Sequence, residues 1–336
     1  MTAGGRSEGT SFGGLDLGGT KIEAVVVDDR NNVLASARRQ TPTVGGPEDV
    51  AAELLHALSE ACELAGIQPA ALRGVGVGSP GVVELDTGTV SSARNLPGWE
   101  GAFPLAEFLG SALGTVVRVG NDVQVATDAE FKLGAGKPYD SLLGVFWGTG
   151  VGGGLILGGQ RWLGRGAAGE VGHTVVNAGG RRCPCGRHGC LEAYAGRAAM
   201  EARARKLVHD GHHTDLFHLM KERGRTRLTS AIWARALERG DKVATELIGE
   251  AIDALGTGIA SAVNLLDIEA VVLGGGLGVR FGQPAADRIA EAMAPHLFND
   301  SRPPAMHVAA LGDVGGALGA SLLVSDDARD KAPSQH

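Results

Sequence analysis

Nowhere does this chain run for about 18 uninterrupted apolar residues, so no membrane-spanning helix is expected. The opening MTAGGRSEGTS lacks the apolar core of a signal peptide, and residues 1–11 are expected to form a disordered tail. A cytoplasmic protein with reduced thiols follows as the expectation. Basic charge is short: 31 Lys and Arg stand against 38 Asp and Glu, a net charge of −7. Such a protein has no global attraction for nucleic acid, and its phosphate contacts should be local, made by backbone or metal. No linker rich in Pro or Ser separates the halves. Glycine, in contrast, is abundant at 54 of 336 residues, yet never at every third position, which excludes collagen. The glycines gather at the ends of apolar segments, the pattern of an α/β enzyme with ligand loops at strand ends.

A length of 336 residues exceeds what one hydrophobic core usually supports, so two lobes are expected. Apolar runs at 12–16, 22–27 and 33–37, separated by turns, predict three strands. Residues 48–65 predict an amphipathic helix entered through Pro47 and closed by Gly66. Strands at 74–78 and 115–119 follow. This β-β-β-α-β-α-β order is one copy of an actin-type, ribonuclease-H-like unit. A second copy begins near Ser141, with strands at 142–147 and 152–157. An insertion over 158–240, expected to hold two helices, precedes a helix at 243–266, strands at 270–273 and 306–311, and a helix at 314–323. The expected division is a small lobe over 12–123, rejoined by the C-terminal helix 313–325, and a large lobe over 124–312.

Two loops have the makings of phosphate cradles. Asp16-Leu17-Gly18-Gly19-Thr20-Lys21 offers glycines for close backbone approach, a hydroxyl on Thr20, and Asp16 for hydrated Mg²⁺. Alone it is equally an ordinary tight hairpin. Gly148-Thr149-Gly150 stands at the matching place of the second copy, which chance turns explain poorly. Gly275 and Gly276 follow a third strand and suit an adenosine, although a plain strand-to-helix turn is the simpler reading of that segment alone.

Three cysteines crowd into Cys183-Pro184-Cys185-Gly186-Arg187-His188-Gly189-Cys190, with His173 ten residues before the first. Three thiolates and an imidazole make a closed, structural zinc site; His188 competes with His173 as the fourth ligand. Cys62 reads as a core residue. Asp122 is the candidate base for a phosphoryl transfer to an alcohol, with an N-cap the simpler reading in isolation. Asn121, Glu170, His173 and Glu192 are polar groups suited to a polyol, and Asn95 is a polar loop residue of the first lobe.

Together, Asp16-x-Gly-Gly-Thr-Lys21, Asn121-Asp122, Gly148-Thr149-Gly150, Glu170-x-x-His173 and Cys183-x-Cys185-Gly186-x-x-Gly189-Cys190-x-Glu192 resemble the ROK family (repressors, open reading frames and kinases) over about residues 12–325. The resemblance implies a two-lobed actin-like ATPase fold and an ATP-dependent sugar kinase using Mg²⁺, glucokinase first. Kinases of N-acetylmannosamine, N-acetylglucosamine or fructose are the alternative, and polyphosphate replaces ATP in some relatives. It implies Asp122 as base, and Gly81, Asn95, Asn121, Asp122, Glu170, His173 and Glu192 around the sugar. Asp16, Gly18, Gly19, Thr20, Lys21, Thr149, Gly150, Gly275 and Gly276 take ATP·Mg²⁺; His173, Cys183, Cys185 and Cys190 take zinc. Members are often homodimers or homotetramers. The family's repressors carry an N-terminal winged helix-turn-helix; with the first phosphate loop at Asp16, no such module and no nucleic-acid partner are expected here.

Overall fold

A computed structural model describes residues 10–93 and 95–330, with side chains as far as Asp326. The tail expected over 1–11 lies outside the described residues through position 9. Ser11 is no tail: it is buried, and its carbonyl accepts from the Arg73 amide at 2.9 Å. Among the described residues, no helix is long and apolar enough to cross a membrane.

The chain divides into two compact units, one ending at Gly134 and resuming at Leu311, the other spanning Ala135–Ala310. The first contains β1 (Phe12–Leu17), β2 (Lys21–Val27), β3 (Val33–Gln40), α1 (Pro47–Ala65), β4 (Val75–Ser79), β5 (Val82–Glu84), β6 (Thr89–Ser91), α2 (Leu105–Leu113), β7 (Val117–Asn121) and α3 (Asp122–Leu133). The second contains β8 (Leu142–Trp147), β9 (Val151–Leu157), β10 (Gln160–Arg161), α4 (Glu192–Ala195), α5 (Arg197–His209), α6 (Leu216–Glu222), α7 (Ser230–Glu238), α8 (Lys242–Leu266), β11 (Ala270–Gly274), α9 (Gly275–Met293) and β12 (Ala305–Val308). The last helix, α10 (Gly315–Asp330), belongs to the first unit.

Each unit carries a five-stranded sheet of the same design. The orders are β3-β2-β1-β4-β7 and β10-β9-β8-β11-β12. In both, an antiparallel meander of three strands continues into two parallel ones. This is the duplicated α/β topology that the strand spacing predicts. The β2 run Val25-Val26-Val27 is buried throughout because both faces of its sheet are covered. Alternation then divides its side chains: Ala24 and Val26 join the core beneath α1, whereas Val25 and Val27 join Ala317, Leu318 and Val324 of α10. Helix α1 begins with Pro47 and ends at Gly66 in the left-handed region, φ 70°, as its sequence signals require.

Glycine makes the fit of α10 possible. A methyl at Gly76 of β4 would stand 1.7 Å from the Ala320 carbonyl oxygen, and one at Gly319 would stand 1.9 Å from that of Val125. Part of the glycine surplus, read in the sequence as ligand loops, is therefore helix-to-sheet packing. The same contact moves the division between the units. The sequence predicts a first lobe ending at residue 123, but α3 packs on α10 and the first unit runs on to Gly134. The insertion over 158–240 holds α4 to α7 rather than two helices, and α9 and the β5–β6 hairpin were not anticipated.

Candidate active site

In the first unit, the β1–β2 turn carries the first glycine loop. Gly18 N donates to Lys21 O at 2.9 Å, and Thr41 ties the loop from β3's end, its hydroxyl donating to Gly18 O at 2.6 Å. Gly19 and Thr20 are exposed at the tip. Asn95 backs it: a methyl on Gly19 would stand 3.0 Å from Asn95 Nδ2. Gly81, at φ 92°, fits beneath the chain leading to Asn95, with room for no side chain: a methyl would stand 2.5 Å from Ser91 O. Asp16 is the penultimate residue of β1, level with Gly78 of β4. It is half-buried by area, but its carboxylate packs against the start of α10, where a methyl on Gly316 would lie 2.5 Å from Oδ2. That desolvation pushes the Asp16 carboxyl up to about 7, the charge of Asp122 adds to the rise, and Lys21 opposes it. Two neighbouring carboxylates, one desolvated, are a donor set that suits a hard divalent cation.

Lys21, expected to face a nucleotide, is held by carboxylates. Its Nζ lies 3.2 Å from Asp313 Oδ1 and 3.7 Å from Glu23 Oε2, while Arg38 bonds the same two partners at 2.8 and 2.6 Å. The Arg38 hydrogen bond, then Lys21, holds the Asp313 carboxyl below its usual range. At the end of β7 the cap falls on a different residue from the one considered. Asn121, not Asp122, is the N-cap of α3: its Oδ1 accepts from Val123 N at 3.2 Å and Gln124 N at 3.3 Å. Asp122 opens the helix, its Oδ1 accepting from Val123 N at 2.9 Å.

In the second unit, the β8–β9 turn carries the other loop, closed by Gly148 N donating to Gly150 O at 2.9 Å. The β11–α9 turn adjoins it: a methyl on Gly148 would stand 3.7 Å from Gly276 N. Gly275 is in the left-handed region, φ 77°, and a side chain there would meet the backbone of Trp147. The Glu170 segment lies on β9, where a methyl on Gly153 would stand 2.7 Å from Gly169 O.

His173, Cys183, Cys185 and Cys190 converge, their ligand atoms all within 4.8 Å of one another. Backbone bonds from Val176 N to Gly189 O and from Leu191 N to Thr174 O, each 2.9 Å, bring the two segments together. Cys185 and Cys190 sulfurs are 3.7 Å apart, and Cys183 Sγ is 3.7 Å from His173 Nδ1. Zn–S bonds of about 2.3 Å at tetrahedral angles place two sulfurs about 3.8 Å apart, so the donor set fits zinc. His188 is not in the cluster; it pairs with Arg182 in a β-bridge. Burial pushes the Cys183 thiol up to about 12, whereas the Arg187 hydrogen bond draws Cys185 down to about 6. With Nδ1 turned to the cysteines, His173 presents Nε2 to Glu170, 4.0 Å from Oε2. One oxygen of Glu192 is used locally: its Oε2 accepts from Val151 N at 2.9 Å and lies against Gly150.

A model of the ROK family matches residues 12–327. The chain belongs to the ROK family. A glucokinase of Thermotoga maritima is 29% identical to this ROK protein over 93% of this chain and 96% of its own. An N-acetylgalactosamine kinase of Shewanella is 34% identical, over 92% and 95%. The crystal structure of a ROK family glucokinase from Streptomyces griseus in complex with glucose and AMPPNP is similar at a TM-score of 0.80 and 31% identity, over 94% of this chain and 99% of that one. One polar residue of this ROK protein escaped the sequence reading. Arg197 bonds Thr149 Oγ1 through Nη2 at 2.7 Å; it sits in no motif and is 48 positions from its partner, so only the fold reveals it.

Proposed function

We propose that this ROK protein is an ATP-dependent hexokinase that phosphorylates glucose at O6. The observation that carries the reading is the pair of glycine turns at equivalent places, β1–β2 and β8–β9, of two sheets with one topology. Backbone N–H groups in such turns suit the phosphates of a nucleoside triphosphate. Asp122 accepts the proton of the attacking hydroxyl as the sugar oxygen bonds to the γ-phosphorus and the bond to the ADP oxygen breaks. Asp16 would hold Mg²⁺, which would supply neutralising charge to the phosphates. Asn95, Asn121, Glu170, His173 and Glu192 orient the sugar hydroxyls, with Gly81 shaping the Asn95 loop. Zinc on His173, Cys183, Cys185 and Cys190 is structural, since four protein ligands leave no open position. We place the protein in the cytoplasm as a homodimer or homotetramer; Leu265 and Phe298, 82% and 94% exposed, are apolar surface that an assembly could cover.

Acetamido-hexoses form the second reading, favoured by the 34% identity to the N-acetylgalactosamine kinase. A coupled ADP-release assay over hexoses and acetamido-hexoses decides between them: glucose should give the highest kcat/KM, by about 10-fold or more, a difference of about 1.4 kcal/mol. Asp122→Asn should lower turnover by about 10²-fold or more with the melting temperature unchanged. No turnover on any sugar of the panel overturns the kinase reading; near-normal turnover by Asp122→Asn overturns the base.

A further inference from the structure

The segment that follows the last cysteine of the knuckle grips the β8–β9 turn. Arg197 N donates to Gly148 O at 3.1 Å and Ala198 N to Thr149 O at 3.0 Å. Val151 N donates to Glu192 Oε2 at 2.9 Å, and a methyl on Gly150 would stand 2.2 Å from that oxygen. The indole of Trp147 donates to Ala195 O at 2.7 Å. One bond in this set does more than hold backbone. Arg197 Nη2 donates to Thr149 Oγ1 at 2.7 Å. A threonine hydroxyl has a single proton. With an arginine donating to its oxygen, that proton is left to be given to an acceptor, and the hydroxyl is polarised for an anion.

The arginine's own charge points the same way. Among the described residues no carboxylate forms an ion pair with Arg197. The nearby Glu201 is already taken, accepting from Arg205 at 2.7 Å, Arg227 at 3.3 Å and Leu228 N at 2.9 Å. Burial, with the Arg227 charge behind it, holds the Arg197 guanidinium below its ordinary range, and Glu201 only partly opposes this. A partly desolvated cation without a carboxylate partner is costly unless an anion serves it. Arg181 of the same unit, by comparison, pairs with Glu250 at 2.6 Å.

We propose that Arg197 is a positioning residue for the phosphoryl donor: it fixes Thr149 as a hydrogen-bond donor and, through it, the terminal phosphates of the nucleoside triphosphate. The proposal rests on the kinase reading above and adds to it a residue outside the family motif. Nothing in it requires Arg197 to touch the sugar, so its loss should fall on one substrate only.

The test is steady-state kinetics and calorimetric binding on Arg197→Ala, Arg197→Gln, Thr149→Val and the Arg197→Ala/Thr149→Val double variant. A hydrogen bond to a charged group is worth about 1.5–3 kcal/mol, so Arg197→Ala should raise the KM for ATP roughly 10- to 100-fold. The KM for sugar should stay within about twofold. Affinity for adenosine, which has no phosphates, should not move. Arg197→Gln keeps an N–H donor for Thr149 and should recover most of the loss, and Arg197→Ala should cost little more once Thr149 is Val. Losses that add, a KM for sugar that rises with that for ATP, or an equal fall in adenosine affinity would overturn the proposal and make Arg197 a brace of the fold. Should Arg197→Ala melt early, Arg197→Gln and the adenosine comparison separate the same two outcomes. An unmutated chain that phosphorylates no sugar sinks the kinase reading, and this inference with it, whereas normal wild-type turnover with unaffected variants sinks the inference alone.

Discussion

The two glycine turns occupy equivalent positions in sheets of identical strand order, yet the protein holds them by different means. The Gly18–Lys21 turn is steadied from its own sheet, by Thr41 and by Asn95 behind its tip, and its acidic residue, Asp16, leans on the glycine start of α10. The Gly148–Val151 turn is gripped by Glu192, Arg197 and Ala198, which begin two residues past Cys190 of the Cys₃His cluster. One turn therefore leans on its own sheet and on α10, the other on the Cys₃His knuckle. The two backbones share one topology; the scaffolding around each comes from a different part of the chain.

Metal removal should separate the two most sharply. A structural zinc contributes folding free energy directly. The native protein should carry one zinc per chain, and stripping it should abolish turnover and expose the Val151 and Ala198 amides to hydrogen exchange, while protection in the Gly18–Lys21 turn stays. Equal loss of protection in both turns, or activity in a metal-free chain, would remove the distinction. Gly76→Ala is the converse experiment. The added methyl meets the Ala320 backbone of α10, which cannot swing aside as a side chain could. Overpacking of this kind costs about 3 kcal/mol, roughly 6–12 °C in melting temperature. Calorimetry should show that loss with zinc content and the knuckle's exchange protection intact; a melting point within about 2 °C of wild type would mean that α10 does not bear on β4 as described.

These dependencies differ in how far the sequence discloses them. The loops, the repeated strand order and the Cys₃His set are written in short spacings, where turn chemistry and ligand chemistry restrict residue type locally. Helix α1 is legible for the same reason, with Pro47 and Gly66 marking its ends. What the sequence hides is set by distance along the chain. Gly76 and Ala320, or Arg197 and Thr149, meet only after folding, so no local pattern announces that Gly76 must lack a side chain or that Arg197 has a hydroxyl to hold. Asn121 shows a subtler limit. Asn and Asp both cap helices well, so adjacent Asn121-Asp122 leaves the capping residue undecided until the backbone shows that α3 starts at Asp122. Lys21 shows another: its motif suggests a phosphate partner, and the fold supplies Asp313 from nearly 300 residues away.

The smallest expected effect tests the acidic half of the comparison. Burial and the Asp122 charge raise the Asp16 carboxyl from an ordinary 3.8 to about 7. The folded state therefore holds this proton more tightly than the unfolded chain does. The stability that this affords is fully present below about 3.8 and is lost as pH rises through about 7, where the ionised carboxylate faces Asp122 with little water around it. Asp16→Asn has no such charge to accommodate. The melting temperature of the variant, measured against wild type from pH 5 to pH 8, should gain on it up to about pH 7 and then level off. Millimolar Mg²⁺ should close part of the gap at pH 8 by stabilising the wild type alone. Thr149→Val, on the turn that has no buried acid of its own, should show neither the pH trend nor the response to Mg²⁺. A gap for Asp16→Asn that is flat with pH would mean that its carboxylate is as well solvated as an ordinary one, and that the two turns differ in their supports but not in their electrostatics.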